Sequence, residues 1–162
     1  MPDGRSRRDV LAATGCLITV GIAGCVDNSS RSRYERRTIE VPAAAEPRTP
    51  AETTAAAQQA TTDSSSAVAP TTAVDLADHA FVFEPGYLGA TVQGTVRNRA
   101  ESRIEGCEVR VRVYDGEGRL LGHYFDRVSG LGAGTAWQFT VIVLESPADL
   151  AAYEIAALAI PP

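Results

Sequence analysis

"CEVRVRVYD", residues 107–115, alternates without a break: Cys107, Val109, Val111 and Val113 fall on one side of an extended chain, and Glu108, Arg110, Arg112 and Tyr114 on the other. Successive side chains of a strand point to opposite faces, so this stretch reads as a strand with one face in a core and one face polar. Asp115-Gly116-Glu117-Gly118 follows, with glycines that permit the positive φ of a hairpin loop, and "RLLGHYFDRV" (119–128) reads as the return strand. The same alternation recurs on both sides. Upstream, "GATVQGTVRN" (89–98) sets Ala90, Val92, Gly94 and Val96 against Thr91, Gln93, Thr95 and Arg97; downstream, "AWQFTVIVL" (136–144) sets Trp137, Phe139, Val141 and Val143 toward the core. "HAFVFE" (79–84) is a short apolar run closed by Pro85-Gly86. "AYEIAALAI" (152–160) places Tyr153 and Ile155 on one face of a closing strand, although its alanines leave a helix open. Six or seven strands spaced about ten residues apart and joined by Gly/Pro/Asn/Asp turns predict an all-β fold, a small antiparallel β-sandwich over residues 78–162. In a core this small, truncating Trp137 is expected to remove about 3–5 kcal/mol and unfold the domain.

The preceding region is built differently. From Pro42 to Thr72, Ala, Thr, Ser, Pro and Gln dominate and the only sizeable apolar side chain is Val68. Such a segment has too little surface to bury against its ordering entropy, so residues 25–77 read as a disordered linker. A random-coil reach of ~40 Å and a stretched limit of ~180 Å between Cys25 and His79 would let the folded part stand clear of a membrane. Ser/Thr-rich stretches with Pro attract O-linked sugar, and Asn28-Ser29-Ser30 matches an N-glycosylation sequon. A helix over "TAAAQQA" would have neither an apolar face nor a partner.

The first residues carry an address. Arg7 and Arg8 precede an uncharged run from Val10 to Gly24, which as a helix reaches only ~22 Å at ~1.5 Å per residue. A bilayer core of about 30 Å disfavours a spanning helix. Ser6-Arg7-Arg8-Asp9-Val10-Leu11 resembles a twin-arginine export signal, and Ile22-Ala23-Gly24-Cys25 resembles a lipobox. The resemblance implies that residues 1–24 are removed and that Cys25 becomes a lipid-bearing N-terminus on the extracytoplasmic face of the membrane. Cys16, after Ala13-Thr14-Gly15, imitates the same box, but the apolar run before it is too short for a signal core. At ~0.8 kcal/mol per buried methylene a two-chain lipid anchors stably, and Arg31, Arg33, Arg36 and Arg37 are placed to meet anionic headgroups at ~1 kcal/mol each.

Charge and chemistry exclude more than they assign. All fifteen basic residues are arginine, and the formal charge of -5 argues against nucleic acid as a partner. With Cys16 removed and Cys25 lipidated, Cys107 stands alone, a small buried hydrophobe rather than half of a disulfide. Asp115, Glu117 and Asp126 lack the spacing of a calcium loop, and the two histidines, His79 and His123, are too far apart in sequence to form a metal motif. No Ser-His-Asp set, phosphate-cradling glycine loop or paired carboxylates stand out, so no catalysis, no cofactor and no small-molecule substrate are expected.

The strand residues carry a family resemblance. Val111-Arg112-Val113-Tyr114-Asp115 occupies the place of the Phe-x-Leu-Tyr-Asp motif of the FxLYD domain family, Gly94-Thr95-Val96-Arg97-Asn98 resembles that family's Gly-x-Val-x-Asn strand, and Leu131-Gly132-Ala133-Gly134 resembles its Leu-x-Pro-Gly turn. Gly118 and Trp137-Gln138-Phe139 also fit. Val111, Val113, Ala133 and Thr135 depart from the pattern while the apolar face is kept. The resemblance spans about half the chain, from His79 to Ala159. It implies an immunoglobulin-like fold on envelope proteins, often lipoproteins, with no shared catalytic residue; the whole arrangement is like that of lipoproteins exported by halophilic archaea. The expectation is a noncatalytic surface module held by the lipid on Cys25, presenting Arg110, Arg112 and Tyr114 to an unidentified envelope protein, aromatic and arginine side chains being enriched in interfaces. The alternative is a structural spacer in a surface assembly.

Overall fold

The computed structural model describes residues 34–161. Arg7, Arg8, Cys16, Cys25, Asn28, Arg31 and Arg33, on which the export, anchor and sequon readings rest, lie outside them. Two antiparallel sheets pack face to face. One has the order β1-β7-β4-β5, with β1 Glu35–Thr38, β4 Ile104–Tyr114, β5 Leu120–Leu131 and β7 Ala152–Ala159; the other has the order β2-β3-β6, with β2 Val74–Phe83, β3 Ala90–Asn98 and β6 Ala136–Ile142. A helix, α1, spans Pro50–Gln59, and a 3-10 turn spans Pro147–Asp149.

The alternating residues form the core as their pattern requires. Val92, Val96, Val109, Val111, Val113, Val141, Val143 and Ile155 are wholly buried, with Cys107, Phe139 and Tyr153 at 2 % exposure. Trp137 sits at the margin, partly buried and packed against Phe139 at a ring separation of 6.0 Å. Phe139 is therefore the central aromatic, in place of Trp137. The closing segment is the strand β7 and not a helix. Its Tyr153 and Ile155 point inward, and it lies inside the sheet between β1 and β4, where a strand satisfies both rows of backbone groups. Gly94 is required by the approach of β2, since a Cβ there would strike the carbonyl of Asp78 and the ring of Phe139. Asn98 ties the loops at one end: its Nδ2 donates to the carbonyls of Ser102, Leu131 and Gly132 at 2.9–3.0 Å, and its Oδ1 accepts from Ala100 at 2.8 Å.

The linker expected over 25–77 is replaced, from residue 34 onward, by ordered structure. β1 pairs with β7, α1 follows, residues 60–73 cross the four-stranded sheet, and β2 begins at Val74 rather than at His79. The helix is set locally. Thr49 accepts from the Glu52 backbone at 3.3 Å while Glu52 accepts from the Thr49 backbone at 2.9 Å, a reciprocal capping box, and Pro50 occupies the first turn where its missing N–H costs nothing. Arg48 fastens the helix entrance to the β2–β3 loop by donating to the carbonyls of Tyr87 and Leu88. Only Ala56 of the helix is fully buried. The segment has no core of its own and is ordered by the sheet it lies on.

Candidate functional site on the outer face of the four-stranded sheet

Register places the outward residues of β1, β7, β4 and β5 in rows. One row runs Arg36, Glu154, Arg112, His123; the next runs Ala156, Arg110, Phe125; a third runs Leu158, Glu108, Arg127. All three residues expected as an interface, Arg110, Arg112 and Tyr114, therefore share this face, but the chain itself divides it.

One half lies beneath residues 60–73, which act as a strap. Thr61 bridges the free edge of β5, its carbonyl accepting from the Phe125 N–H at 2.9 Å; Ala69 exchanges two hydrogen bonds with Ala159 of β7 at 2.8 and 3.1 Å. Midway, the Ser65 N–H donates to Glu108 Oε2 at 2.8 Å and its carbonyl accepts from Arg110 Nη2 at 2.8 Å. Glu108, polar by pattern and outward by register, is wholly buried. Its carboxylate accepts from Arg110 Nε and from Arg127 Nε, each at 2.6 Å, the partners a buried charge requires. Phe125, Ala156 and Leu158, also outward, are buried at 6, 3 and 2 % exposure. The arginine expected at an interface is thus spent inside the molecule.

The other half is open. Tyr34 stacks 4.0 Å from the Arg112 guanidinium, and the Arg36 guanidinium lies 4.5 Å from the Tyr114 ring centre. Glu154 sits between them, accepting from the Tyr114 hydroxyl at 2.8 Å and from Arg36 at 3.1 Å, with Arg112 at 3.8 Å. Burial and then the Glu154 hydrogen bond push the Tyr114 hydroxyl above its ordinary range. Tyr114 thus joins β4 to both β7 and β1. Asp115, its neighbour, accepts from the Glu117 and Arg119 backbone and from Arg119 Nε at 2.7–2.9 Å, which shapes the hairpin and holds its carboxyl below the usual range. Val111 and Val113 are core residues. Leu120 and Leu121, at the β-bulge where β5 begins, are 48 and 37 % exposed.

The remaining chemical candidates are structural. His79 is buried between β1 and β7, its Nδ1 2.8 Å from the Tyr153 hydroxyl and its Nε2 3.2 Å from Glu35, so the three side chains staple the seam between the sheets. His123 is exposed on the outer face. Asp126 accepts from the Thr140 N–H at 2.9 Å and joins β5 to β6; burial raises its carboxyl. Cys107 is buried and its thiol is pushed up to about 12, chiefly by burial and then by Glu108 nearby, which removes the thiolate a nucleophile needs. Among the described residues no group of His, Cys, Asp and Glu is arranged to hold a metal, and no helix is long and apolar enough to cross a membrane.

The three-stranded sheet presents a different surface. Its outer face carries a shallow depression of about 440 Å³ lined by Asp78, Ala80, Val82, Gln93, Thr95, Gln138 and Thr140, in which Asp78 supplies a carboxylate. No segment of the described chain lies over it.

Ser65, Arg127, Tyr34 and Glu154 escaped sequence reasoning as members of this face, and Glu108, placed on it by alternation, escaped as a buried residue. One signal for the ordered N-terminal segment was present: Thr49-Pro50-Ala51-Glu52 has the form of a capping box with proline at the first helical position. No family model matches this chain, and no curated protein or solved structure matches it either.

Proposed function

We propose that the protein is a noncatalytic, lipid-anchored surface module. The lipid on Cys25 holds it at the extracytoplasmic face of the membrane, and an immunoglobulin-like sandwich of the FxLYD kind presents one sheet face to an envelope protein. The observation that carries this reading is the asymmetry of the two outer faces. The strap occupies half of one, whereas the other carries no such strap and is lined mainly by hydroxyl, amide and small apolar groups, with the carboxylate of Asp78 beside them. The presented face is therefore that of the three-stranded sheet, and Arg110 serves the strap rather than a partner.

The pairing of β1 with β7 also shortens the tether. Among the described residues sheet structure begins at Glu35, and eight residues lie between Cys25 and Tyr34, a stretched span of ~30 Å in place of the ~180 Å of a free linker. A module held this close to the headgroups also suits the second reading, a structural spacer in a surface assembly, because Arg110 and Arg127 are engaged within the chain.

Detergent-phase partitioning of cells producing the full chain tests the anchor: wild type should enter the detergent phase and Cys25→Ser the aqueous phase. Stoichiometric copurification of one envelope protein with wild type, lost in Thr95→Arg with Gln138→Arg, supports the interaction reading. Its absence from anchored wild type moves the assignment to the spacer.

A further inference from the structure

We infer that the open half of the four-stranded sheet's outer face is a membrane-docking surface, seated on anionic lipid headgroups. This inference rests on the lipid anchor proposed above. The chain leaves the described structure at Tyr34, which itself lies on this patch against Arg112. Nine residues further back is Cys25, so the anchor point and the patch are joined by at most ~30 Å of chain.

The chemistry of the patch suits an interface between water and lipid. Leu120 and Leu121 are among the few exposed large apolar residues. They neighbour Tyr114 and the row of Arg36, Arg112 and His123. Tyrosines sit well at headgroup depth, apolar body inward and hydroxyl outward, and arginines supply charge to phosphate. The Arg36 side chain is 50 % and Arg112 37 % exposed, against a single carboxylate, Glu154, at 20 %. The row is therefore net cationic in a chain whose formal charge is -5, and the connecting sequence adds Arg31 and Arg33 against Asp27. The strap supports this geometry by covering the adjoining half, so that only the part nearest the tether remains free. Docking here turns the outer face of the three-stranded sheet away from the membrane.

The test uses the lipidated full chain in nanodiscs of phosphatidylglycerol and phosphatidylcholine carrying a nitroxide on the headgroup. Amide signals of Tyr114, Leu120 and Leu121 should broaden while those of Thr95 and Gln138 stay sharp, and the effect should weaken in discs of phosphatidylcholine alone. Arg36→Glu with Leu121→Ser, two exposed positions, should reduce the docked fraction roughly tenfold without displacing the protein from the discs. Uniform broadening, broadening of the opposite sheet, or no change in phosphatidylcholine discs would overturn docking while leaving the anchor intact. A chain that never enters the discs would remove the anchor and the docking together, and fractionation tells the two failures apart.

Discussion

The two sheets share one core and differ on their outer faces. The four-stranded sheet carries its charge there, as Glu108, Arg110, Arg112, Arg127 and Glu154; the three-stranded sheet carries Gln93, Thr95, Gln138 and Thr140 in its depression. Both patterns read as polar, yet only one of them faces water throughout. Charge on the first face is the fastening for another part of the chain: Glu108, held by Arg127, and Arg110 grip the backbone of Ser65, which has no apolar side chain with which to hold on. A polar face in a strand can thus be polar for solvent or polar for a strap, and alternation alone does not separate them.

The largest effect should come from what the two sheets have in common. Phe139→Ala removes a side chain that is 2 % exposed and is expected to cost about 3–5 kcal/mol in a denaturant titration, more than Trp137→Ala at its partly buried margin. Next is the latch. Glu108→Ala leaves Arg110 and Arg127 without their shared carboxylate; because those side chains are 24 and 39 % exposed and can turn to water, the loss should be about 2–3 kcal/mol, below that of a fully buried pair. Limited proteolysis should then cut within residues 60–73, which wild type protects. The smallest change should be on the bare face, where Thr95→Arg is expected to alter stability by less than ~0.5 kcal/mol.

Two titrations sharpen the contrast between core and strap. Cys107 has a folded thiol pKa raised to about 12, so its contribution is complete below the ordinary thiol range and is lost as pH rises toward that value, when the unfolded thiol ionises and the folded one does not. A thiol reagent at mild alkaline pH should label it only on unfolding. Glu52 behaves oppositely. Hydrogen bonds from Thr49 lower its carboxyl, so the capping box contributes above the ordinary carboxylate range and is lost as pH falls through the depressed value. Helical circular dichroism should fade there before the sheet signal does.

The inner faces were legible because burial imposes a period of two: Val109, Val111, Val113, Val92 and Val96 all lie where alternation puts them. The hairpin at Asp115–Gly118 was legible for local reasons, and Gly118 has the positive φ of 70–80° class that its position demands, at 80°. Residues 34–73 were not legible, since their order comes from the sheet and not from their own composition. Apart from Ile39, which joins the core, Val68 and a few alanines promise little burial, whereas the outer surface around Ala156 and Leu158 offers it. Glu108 was misread for the same reason, its direction being right and its cover unseen. On the candidate site, alternation placed Arg110, Arg112 and Tyr114 together; the division of that face depended on the strap and could not be read from strand pattern.

The most direct measurement is hydrogen exchange of the soluble full-length Cys25→Ser chain. The Ser65, Ala69 and Phe125 amides should be protected in the unmodified strap, and Glu108→Ala should release Ser65 while amides of Val92 and Val96 stay slow. Exchange of Ser65 and Ala69 at the rate of an unfolded peptide, in the presence of Glu108, would contradict the strap and restore the free linker.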